Sequence, residues 1–298
     1  MAFDPDDVRR ACAEVAARAR HVRVVEEAVP AYARTLPPSG QPLDAGGAPV
    51  PGGLPSEERA AASLQLNAVN FGSGWFPTLR KPPGLSGFRT VEAGLRARGP
   101  WRAAELRELA AAEVADVLGQ DRDHELMALF AGALREIGAH VEERHGGSFA
   151  AVAADGSATA VAAELAELAM WQDVSDYDGR TVPFFKRAQI AAADLLPDAR
   201  DLPRLTLFAD NLVPHVLRLD GVLRFDPELV ARIDREELIE HGSPAEVEIR
   251  ACAVHAVELL VAAHGATTAT AADHALWRRG AGARYKARPR HRSRTTAY

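Results

Sequence analysis

Apolar residues recur at helical spacing through most of the chain. The segment 123–147 shows the pattern most clearly, because its large apolar side chains fall on one face and a glycine follows them. These positions are Leu126, Phe130, Leu134, Ile137 and Val141, followed by Gly146. The same spacing predicts helices over 100–119, 159–172 and 243–265, and over most of 4–33. Alternating strand patterns are scarce, so the sequence predicts a mostly α-helical fold with few short strands at most.

The boundaries of these segments carry their own signals. Ser243, Pro244 and Glu246 form a capping pattern with proline in the first turn, and Gly265 closes the helix that they begin. Glycine and proline cluster over 35–58, which predicts a long loop between two helical regions. No internal repeat is visible, so we expect residues 1–298 to form a single mostly α-helical domain.

Composition narrows the class of protein. Of the 298 residues, 47% are hydrophobic and 26% are charged, as in ordinary soluble globular proteins. No window reaches the roughly 18 uninterrupted apolar residues of a membrane span, and the charged N-terminal segment is unlike a secretory signal. Cys12 and Cys252 stand at apolar-periodic positions without a CxxC pattern, which favours buried reduced thiols. We therefore expect a cytoplasmic protein with no membrane association.

Charge is distributed unevenly along the chain. The net charge is −6, yet residues 278–298 hold eight basic residues and no acidic one. Subtracting these from the totals of 35 basic and 41 acidic residues leaves 27 positive against 41 negative in the rest. A basic tail on an acidic body indicates either a phosphate-bearing partner or a solvated, disordered end. The pattern does not choose between the two.

Common catalytic motifs are missing from the sequence. His140 and His145 lie five residues apart and His255 and His264 nine apart, with no HExxH motif and no Cys/His quartet. We interpret these residues as histidines on helix faces and predict no metal site. The sequence also lacks the phosphate-binding loop GxxxxGK(S/T) and a GxSxG nucleophile elbow.

Three stretches hold residues that ordinary packing explains less fully. Phe71 and Trp75 flank two glycines, where aromatic rings either stack a flat ligand or plug the core. Lys186 follows a tight acidic turn and has, as its plain alternative, a place on a helix surface. Asp273 stands three residues after Thr270, which is itself a capping pattern and favours a structural role.

Asp210 is the least easily explained of the acidic residues. It lies in the run 204–219, whose neighbouring members, including Phe208, have the pattern of core residues. Burying an unpaired carboxylate costs several kcal/mol, so such a residue is normally paired or functional. No Ser or Thr frame marks Asp210 as a helix cap. The residues alone leave two alternatives, an ion-pair partner in a non-catalytic scaffold and a catalytic group.

Five motifs, in order, resemble those of the queuosine salvage protein family. They are NFGSGWFPTLRK, DGRTVPFFKRAQI, LTLFADNLVPHVLRLDGVL, EVEIRACAVHAVELL and DHALW, and a basic RHRSRTTAY segment follows. The resemblance spans about residues 60–298. It implies a mostly helical fold similar to helix-hairpin-helix DNA glycosylases. It also implies hydrolysis of queuosine 5′-monophosphate at its N-glycosidic bond, which gives queuine for tRNA modification and ribose 5-phosphate, without a metal or organic cofactor.

The resemblance also assigns roles to individual residues. The aspartate of the family's Phe-Ala-Asp motif falls on Asp210, which is implied to be the catalytic carboxylate. The lysine of its KRAQ motif and the aspartate before its Leu-Trp pair fall on Lys186 and Asp273, which are implied to line the substrate pocket. The further expected substrate-binding residues are Phe71, Trp75, Phe208, His215 and Trp277. Asn211-Leu212 and Pro214-His215 stand where the family often has Tyr-Arg and Pro-Gln, and an upstream histidine expected for base binding has no match.

The implied reaction suits a carboxylate in an apolar setting. Glycosidic cleavage passes through an oxocarbenium-like state, and a nearby anion in a water-poor site stabilises the positive ribose. We expect Phe71 and Trp75 to stack the base, and Lys186 or the C-terminal arginines to hold the phosphate. The competing hypothesis is a helical nucleic-acid-binding protein that uses the basic tail, with salt-dependent binding and no base release. Net acidity argues against it, so we expect a nucleotide substrate and no stable nucleic-acid complex.

Overall fold

The computed structural model describes residues 2–39 and 55–298, so residues 40–54 of the predicted 35–58 loop lie outside the described part. Within the described residues the chain forms fourteen α-helices and four short strands, which confirms the mostly α-helical prediction. The helices are α1 Pro5–Ala16, α2 Val29–Ala33, α3 Glu57–Ala68, α4 Gly87–Arg98, α5 Ala103–Arg107, α6 Ala111–Leu118, α7 Glu125–His145, α8 Ala158–Ala166, α9 Lys186–Leu195, α10 Leu212–Leu219, α11 Pro227–Asp234, α12 Pro244–His264, α13 Ala269–Arg279 and α14 Ala283–Lys286. The strands are β1 Val22–Val24, β2 Val174–Tyr177, β3 Arg180–Pro183 and β4 Leu223–Phe225.

The central helix of the fold is α12. Most of its residues are buried, and it packs against α1, α2, α10 and α13. The expected cap is present, since the Ser243 hydroxyl accepts a hydrogen bond from Glu246 N, and Gly265 ends the helix at a φ of 73°. Cys12 of α1 and Cys252 of α12 are buried free thiols, as predicted.

A second group of helices surrounds α7. This helix packs against α3, α5 and α6, and its predicted apolar positions are all buried. In turn, α9 packs against α3 and α8. One cluster of buried apolar residues runs through both groups, from Phe3 to Leu276. This shared core is consistent with the single domain that we predict for 1–298.

The strands form two short antiparallel pairs. β1 pairs with β4, with Val22 opposite Phe225, and β2 pairs with β3 as a hairpin. Glu248 of α12 holds the start of β1 in place, because its Oε2 accepts hydrogen bonds from the backbone N–H groups of residues 20–22. These pairs fit the prediction of few short strands.

Three predicted helices are wrong in their extent. The range 4–33 contains α1 and α2 but also β1, which interrupts the expected helix. The range 100–119 is divided into α5 and α6, because the Glu113 carboxylate accepts a hydrogen bond from Ala110 N and begins a new helix there. The helix α8 is likewise shorter than the predicted 159–172.

Residues 291–298, the last part of the C-terminal basic segment, are packed against the protein, so the interpretation of this end as disordered is wrong. Side chains at alternate positions between 291 and 297 are buried, whereas the residues between them are at least partly exposed. The buried positions are His291, Ser293, Thr295 and Ala297. Such alternation is typical of extended chain with one face on a core. The run of arginines concealed this pattern, although it is visible in the sequence.

Backbone contacts hold this segment across the fold. Gly72 N donates to Tyr298 O at 3.1 Å, and Ile239 N donates to Arg292 O at 2.9 Å. A Cβ atom on Gly74 would lie only 2.6 Å from Ser293 O, so the segment passes directly over that glycine. The glycines of the NFGSGWFP turn therefore serve the turn itself and the approach of the C-terminal segment.

Across the described parts of the chain, no single helix has both the length and the apolarity to cross a membrane. Among the described helices, one pair, α12 and α13, is long and apolar enough when the two are taken together, although a bend of 111° separates them. This match concerns length and composition alone. The greater part of α12 is buried inside the protein.

Candidate active site

Asp210 lies near the end of an irregular segment, 205–211, that leads into α10. Its apolar neighbours Leu207 and Phe208 are buried, as predicted, whereas Asp210 itself is partly exposed. Asp210 Oδ1 accepts a hydrogen bond from Leu212 N at 2.7 Å and so caps α10, which the sequence did not indicate. Among the residues that the structure describes, none donates a hydrogen bond to the second oxygen, Oδ2.

Buried side-chain amides hold both ends of this segment. Gln189 Oε1 accepts from Thr206 N at 2.9 Å, and Gln189 Nε2 donates to Thr206 Oγ1 at 2.9 Å. Asn211 Nδ2 donates to His291 O at 3.2 Å. Because these groups are buried, the bonds do not compete with bulk water. The backbone on either side of Asp210 is therefore firmly placed.

Arg250 of α12 links the segment to the start of α9. Arg250 Nε donates to Ala209 O at 3.0 Å, directly before Asp210, and its Nη atoms donate to the two Asp173 oxygens at 2.8 and 2.6 Å. Asp173 Oδ2 also accepts from Lys186 N at 2.9 Å. Both charged side chains are buried, so the bidentate pair replaces the water that each has lost. One chain of hydrogen bonds thus joins the backbone beside Asp210 to that of Lys186.

Lys186 is buried, so the helix-surface alternative is wrong. Its Nζ donates to Asn70 O at 3.0 Å. Burial lowers the pKa of Lys186 to about 8, and the negative charge of Asp210 opposes that shift. The preceding residue, Phe185, adopts left-handed backbone with φ 50° and ψ 42°, which bulky residues rarely do and which is common at functional sites. Lys186 and Asp210 therefore share one electrostatic environment.

Asp273 of α13 is the third charged residue of the cluster. Thr268 caps α13, so the capping pattern predicted for Thr270 and Asp273 is wrong. Asp273 is instead buried, and the backbone of Phe208 favours its charged form. Burial raises the pKa of Asp273 well above its usual value, and the negative charge of Asp210 raises it further. Burial and the charge of Asp210 therefore both favour the protonated form of Asp273.

The C-terminal segment brings a second cation to the cluster. Burial lowers the pKa of Arg290, and the negative charge of Asp210 acts in the opposite direction. Arg292 and Arg294 each pair with a glutamate, whereas no carboxylate within 2–39 or 55–298 pairs with Arg290. A guanidinium in this position suits an anionic group on a ligand.

The cluster therefore combines a carboxyl group whose surroundings favour protonation, a second carboxyl group with an unbonded oxygen, and two cations. A carboxyl group whose surroundings favour its protonated form is typical of acid–base sites. The buried apolar residues around them lower the local dielectric and strengthen each charge interaction. The arrangement suits a reaction in which positive charge develops beside Asp210 while an anionic group is held nearby.

Comparison with known proteins decides the family. A family model described as queuosine salvage protein matches residues 89–298, more than half of the chain. The chain belongs to this family.

Similar proteins share one name, queuosine 5′-phosphate N-glycosylase/hydrolase. The relative from Sphaerobacter thermophilus is 38% identical over 211 residues, which cover 66% of this chain and 65% of that protein. The relative from Bos taurus is 34% identical over 138 residues, covering 43% of this chain and 40% of that protein. The relative from Dictyostelium discoideum is 34% identical over 180 residues, covering 55% and 56%. The matched regions thus span less than two thirds of each relative's length.

Four of the five motifs that carry the resemblance to the queuosine salvage family fall within the matched range. The fifth, NFGSGWFPTLRK at 70–81, precedes residue 89, where the match begins. Lys186, Asp210 and Asp273 lie inside the range, and the structure brings these three together. The similarity to helix-hairpin-helix DNA glycosylases stays a prediction.

Phe71 and Trp75 are only 1% and 5% exposed. The Phe71 ring packs edge-on against Phe130 with ring centroids 5.1 Å apart. Trp75 Nε1 donates to Glu125 Oε2 at 2.8 Å. These contacts support the core-packing alternative and lend no support to a base-stacking role in this family member.

His215 and Trp277 occupy contrasting positions. His215 is buried and its Nε2 donates to Tyr285 O at 2.9 Å, and burial lowers its pKa to about 4. It therefore anchors α14 as a neutral ring. Trp277 lies one helical turn after Asp273 on the same face of α13, and its side chain is 36% exposed. Arg89 approaches its ring centroid at 5.1 Å. Substrate binding by Phe208, His215 and Trp277 stays a prediction.

Asp194 is a candidate residue that the motifs did not reveal. Its carboxylate accepts from Asn67 Nδ2 at 2.9 Å, and Asn67 Oδ1 accepts from Asn70 Nδ2 at 3.2 Å, so the network reaches the residue that binds Lys186 Nζ. Desolvation of the carboxylate raises the pKa of Asp194, although the residue as a whole is exposed. Asp194 follows Lys186 by eight residues on α9, a spacing that places two residues near the same face of a helix. This spacing is the sequence signal for Asp194.

Proposed function

We propose that this chain hydrolyses the N-glycosidic bond of queuosine 5′-phosphate and releases queuine and ribose 5-phosphate. The observation that carries the proposal is the unbonded Oδ2 of Asp210 beside Lys186 and Asp273. Three relatives are named for activity on this nucleotide, and the chain belongs to their family. Queuine salvage for tRNA modification is the expected use of the product.

Asp210 supplies the negative charge that the transition state requires. As the bond between ribose C1′ and the base nitrogen lengthens, positive charge develops on the sugar. Oδ2 stabilises this charge most strongly because the buried Leu207 and Phe208 exclude water from one side. A water molecule then attacks C1′, its proton passes to Asp210, and a C1′–O bond replaces the C1′–N bond.

Asp273 supplies the proton that the leaving base needs. The base departs with the electron pair of the broken bond and takes one proton to become neutral queuine. Asp273 suits this role because burial and the charge of Asp210 both favour its protonated form. A protonated carboxyl group donates a hydrogen bond. We therefore expect Asp273 to contact the purine-like edge of queuine, and not the cationic amine of the queuine side chain. Exchange with water moves the proton from Asp210 back to Asp273.

Lys186 and Arg290 hold the 5′-phosphate. Lys186 Nζ uses one of its three N–H groups on Asn70 O, which leaves two for a ligand. Arg290 offers a planar donor set that matches a phosphate group. The accessible ring of Trp277, near Asp273 on α13, is the aromatic surface proposed to stack the base. We therefore expect queuosine 5′-phosphate to react faster than queuosine.

Asp210→Asn tests the catalytic assignment. An asparagine oxygen still accepts the hydrogen bond from Leu212 N, so the cap of α10 is kept while the charge is removed. We expect queuine release, measured by mass spectrometry, to fall by a factor of about 100 or more. Queuosine and guanosine 5′-phosphate, incubated in parallel, report the requirement for the phosphate and for the base.

Asp4→Asn is the matched control. Asp4 Oδ1 accepts from Asp6 N at 2.9 Å, so Asp4 caps α1 as Asp210 caps α10, but it lies on the surface. Its variant should release queuine at the wild-type rate. Near-wild-type turnover by a folded Asp210→Asn variant would refute the catalytic role.

We further propose that the chain acts in the cytoplasm, on a small nucleotide and without a stable nucleic-acid partner. The buried free thiols of Cys12 and Cys252 suit a reducing compartment. The nucleic-acid hypothesis relied on a free basic tail, whereas residues 291–298 of that segment are packed against the core and the whole chain has a net charge of −6. Removal of residues after Trp277 therefore damages the fold, so an electrophoretic shift assay on the whole chain with tRNA is the better test.

A further inference from the structure

Three side chains away from the Asp210 cluster converge between α7 and α8. His140 Nε2 and His145 Nε2 each lie 2.5 Å from Glu164 Oε1. The two imidazole ring centroids are 5.7 Å apart. One nitrogen or oxygen atom from each residue lies within 4.8 Å of the other two. All three side chains are largely buried.

The end of α7 makes this convergence possible. Residues five apart on a continuous α-helix point about 140° away from each other. His145 is the last residue of α7, and Gly146 follows it in left-handed backbone with φ 59°. Glu164 projects from α8 towards both histidines. His140 and His145 therefore contact the same carboxylate, although we interpreted them from the sequence as separate histidines on helix faces.

The distances and the donor types suit a shared cation. A hydrogen bond between N–H and oxygen is normally about 2.9–3.0 Å long, so both contacts are unusually close for hydrogen bonds to one oxygen. Zn²⁺ binds histidine nitrogen and carboxylate oxygen at about 2.0–2.2 Å, which separates tetrahedral ligands by about 3.3 Å. Small outward movements of the rings reach that geometry. Two histidines and one carboxylate, with water in the fourth position, are an established zinc donor set.

We propose that His140, His145 and Glu164 bind one Zn²⁺ ion, through the two Nε2 atoms and Glu164 Oε1. The ion joins the C-terminal end of α7 to α8. Since α8 packs against α9, which begins at Lys186, the ion braces the helices behind the proposed active site. It takes no part in the glycosidic chemistry, and the proposal does not depend on that function.

Calorimetric titration with ZnCl₂ tests the site. The full chain is first stripped with a chelator, and Zn²⁺ is then added alone. We expect one ion per chain, and a melting temperature that rises with the concentration of free Zn²⁺. Glu164→Gln keeps the side-chain shape and removes the charge, and His145→Ala removes one nitrogen ligand. Each change should weaken binding at least about tenfold.

His21→Gln is the matched control. His21 pairs with a single carboxylate, Asp226, at 2.9 Å and is more exposed than either cluster histidine. Its variant should bind Zn²⁺ as the wild type does. Absence of stoichiometric binding by the wild-type chain overturns the proposal whether or not the variants fold. Equal affinity of wild type and folded Glu164→Gln overturns it as well, and leaves the three residues as a hydrogen-bonded contact.

Discussion

Replacement of Arg250 by lysine tests the bridge that connects Asp210 to Lys186. Lysine keeps the positive charge, but one ammonium group does not reproduce a bidentate pair with Asp173 together with a bond to Ala209 O. We expect one or two of the three hydrogen bonds to be lost. The backbone on both sides of the site then loses its common anchor.

The expected loss of stability follows from these contacts. A hydrogen bond that involves a charged group contributes about 1.5–3 kcal/mol, so the loss of one or two bonds amounts to about 1.5–6 kcal/mol. The guanidinium also lies 4.0 Å from the Phe184 ring centroid and 4.4 Å from that of Tyr298. Lysine stacks less well there, which adds about 0.5–1 kcal/mol. We expect Arg250→Lys to lower the free energy of unfolding by about 2–7 kcal/mol, a large part of the roughly 5–15 kcal/mol typical of a domain.

Arg122→Lys provides the matched control. Arg122 also forms a bidentate pair, with Asp116 at 3.0 and 2.7 Å, but both side chains are exposed. Loss of the exposed Arg122–Asp116 pair should lower the free energy of unfolding by no more than about 1 kcal/mol. Guanidinium unfolding followed by tryptophan fluorescence gives both values, and queuine release is measured where each variant is fully folded.

Two outcomes would refute the reasoning about Arg250. Equal destabilisation in the two variants would show that burial of the Arg250–Asp173 pair adds nothing. A destabilised Arg250→Lys variant with full turnover per folded molecule would show that the bridge supports the fold without positioning Asp210 or Lys186.

Two other perturbations test the site and its support. Queuine release should fall above about pH 8, because Lys186 then loses the charge that we propose holds the phosphate, and a kcat/KM profile that stays flat well above that pH contradicts this proposed role. The pKa of Lys186 is about 8 in the folded protein, against 10.5 for an ordinary lysine. Between these two pH values the unfolded chain binds the lysine proton more strongly than the folded chain does. The stability of the wild type relative to Lys186→Met should therefore increase as the pH rises from about 8 towards 10.5. Gly74→Ala should cost about 1–3 kcal/mol, because its Cβ meets backbone of the C-terminal segment. Gly132→Ala, whose Cβ meets only Met170 at 3.9 Å, should be neutral or slightly stabilising, and equal melting temperatures for the two variants contradict this account.

Local signals were sufficient for the long helices. The apolar repeat and the following glycine predicted α7, and Ser243, Pro244 and Gly265 marked both ends of α12. Motif resemblance selected Lys186 and Asp210, and the structure brings them together. These features depend on residues close together in the chain or on whole motifs, so one sequence contains them.

The surroundings of the site depend on contacts that a local pattern does not encode. Lys186 looked like a surface cation, because its partner Asn70 lies 116 residues away. Arg250 stands in an apolar helical run, and its partner Asp173 is 77 residues distant. Burial of such charges depends on the whole fold, and helical periodicity reports only which face is apolar. The capping role of Asp210 was missed for a different reason, since it is local but lacks the Ser or Thr frame used to recognise caps.

The packing of the C-terminal segment has a consequence for synthesis on the ribosome. Residues 288–298 are translated after every helix that they touch, and His291 O is the acceptor for Asn211, 80 residues earlier. A nascent chain therefore lacks one backbone anchor of Asp210 until His291 has left the exit tunnel. Products of premature termination before that point are expected to be inactive, even when their helices have already formed.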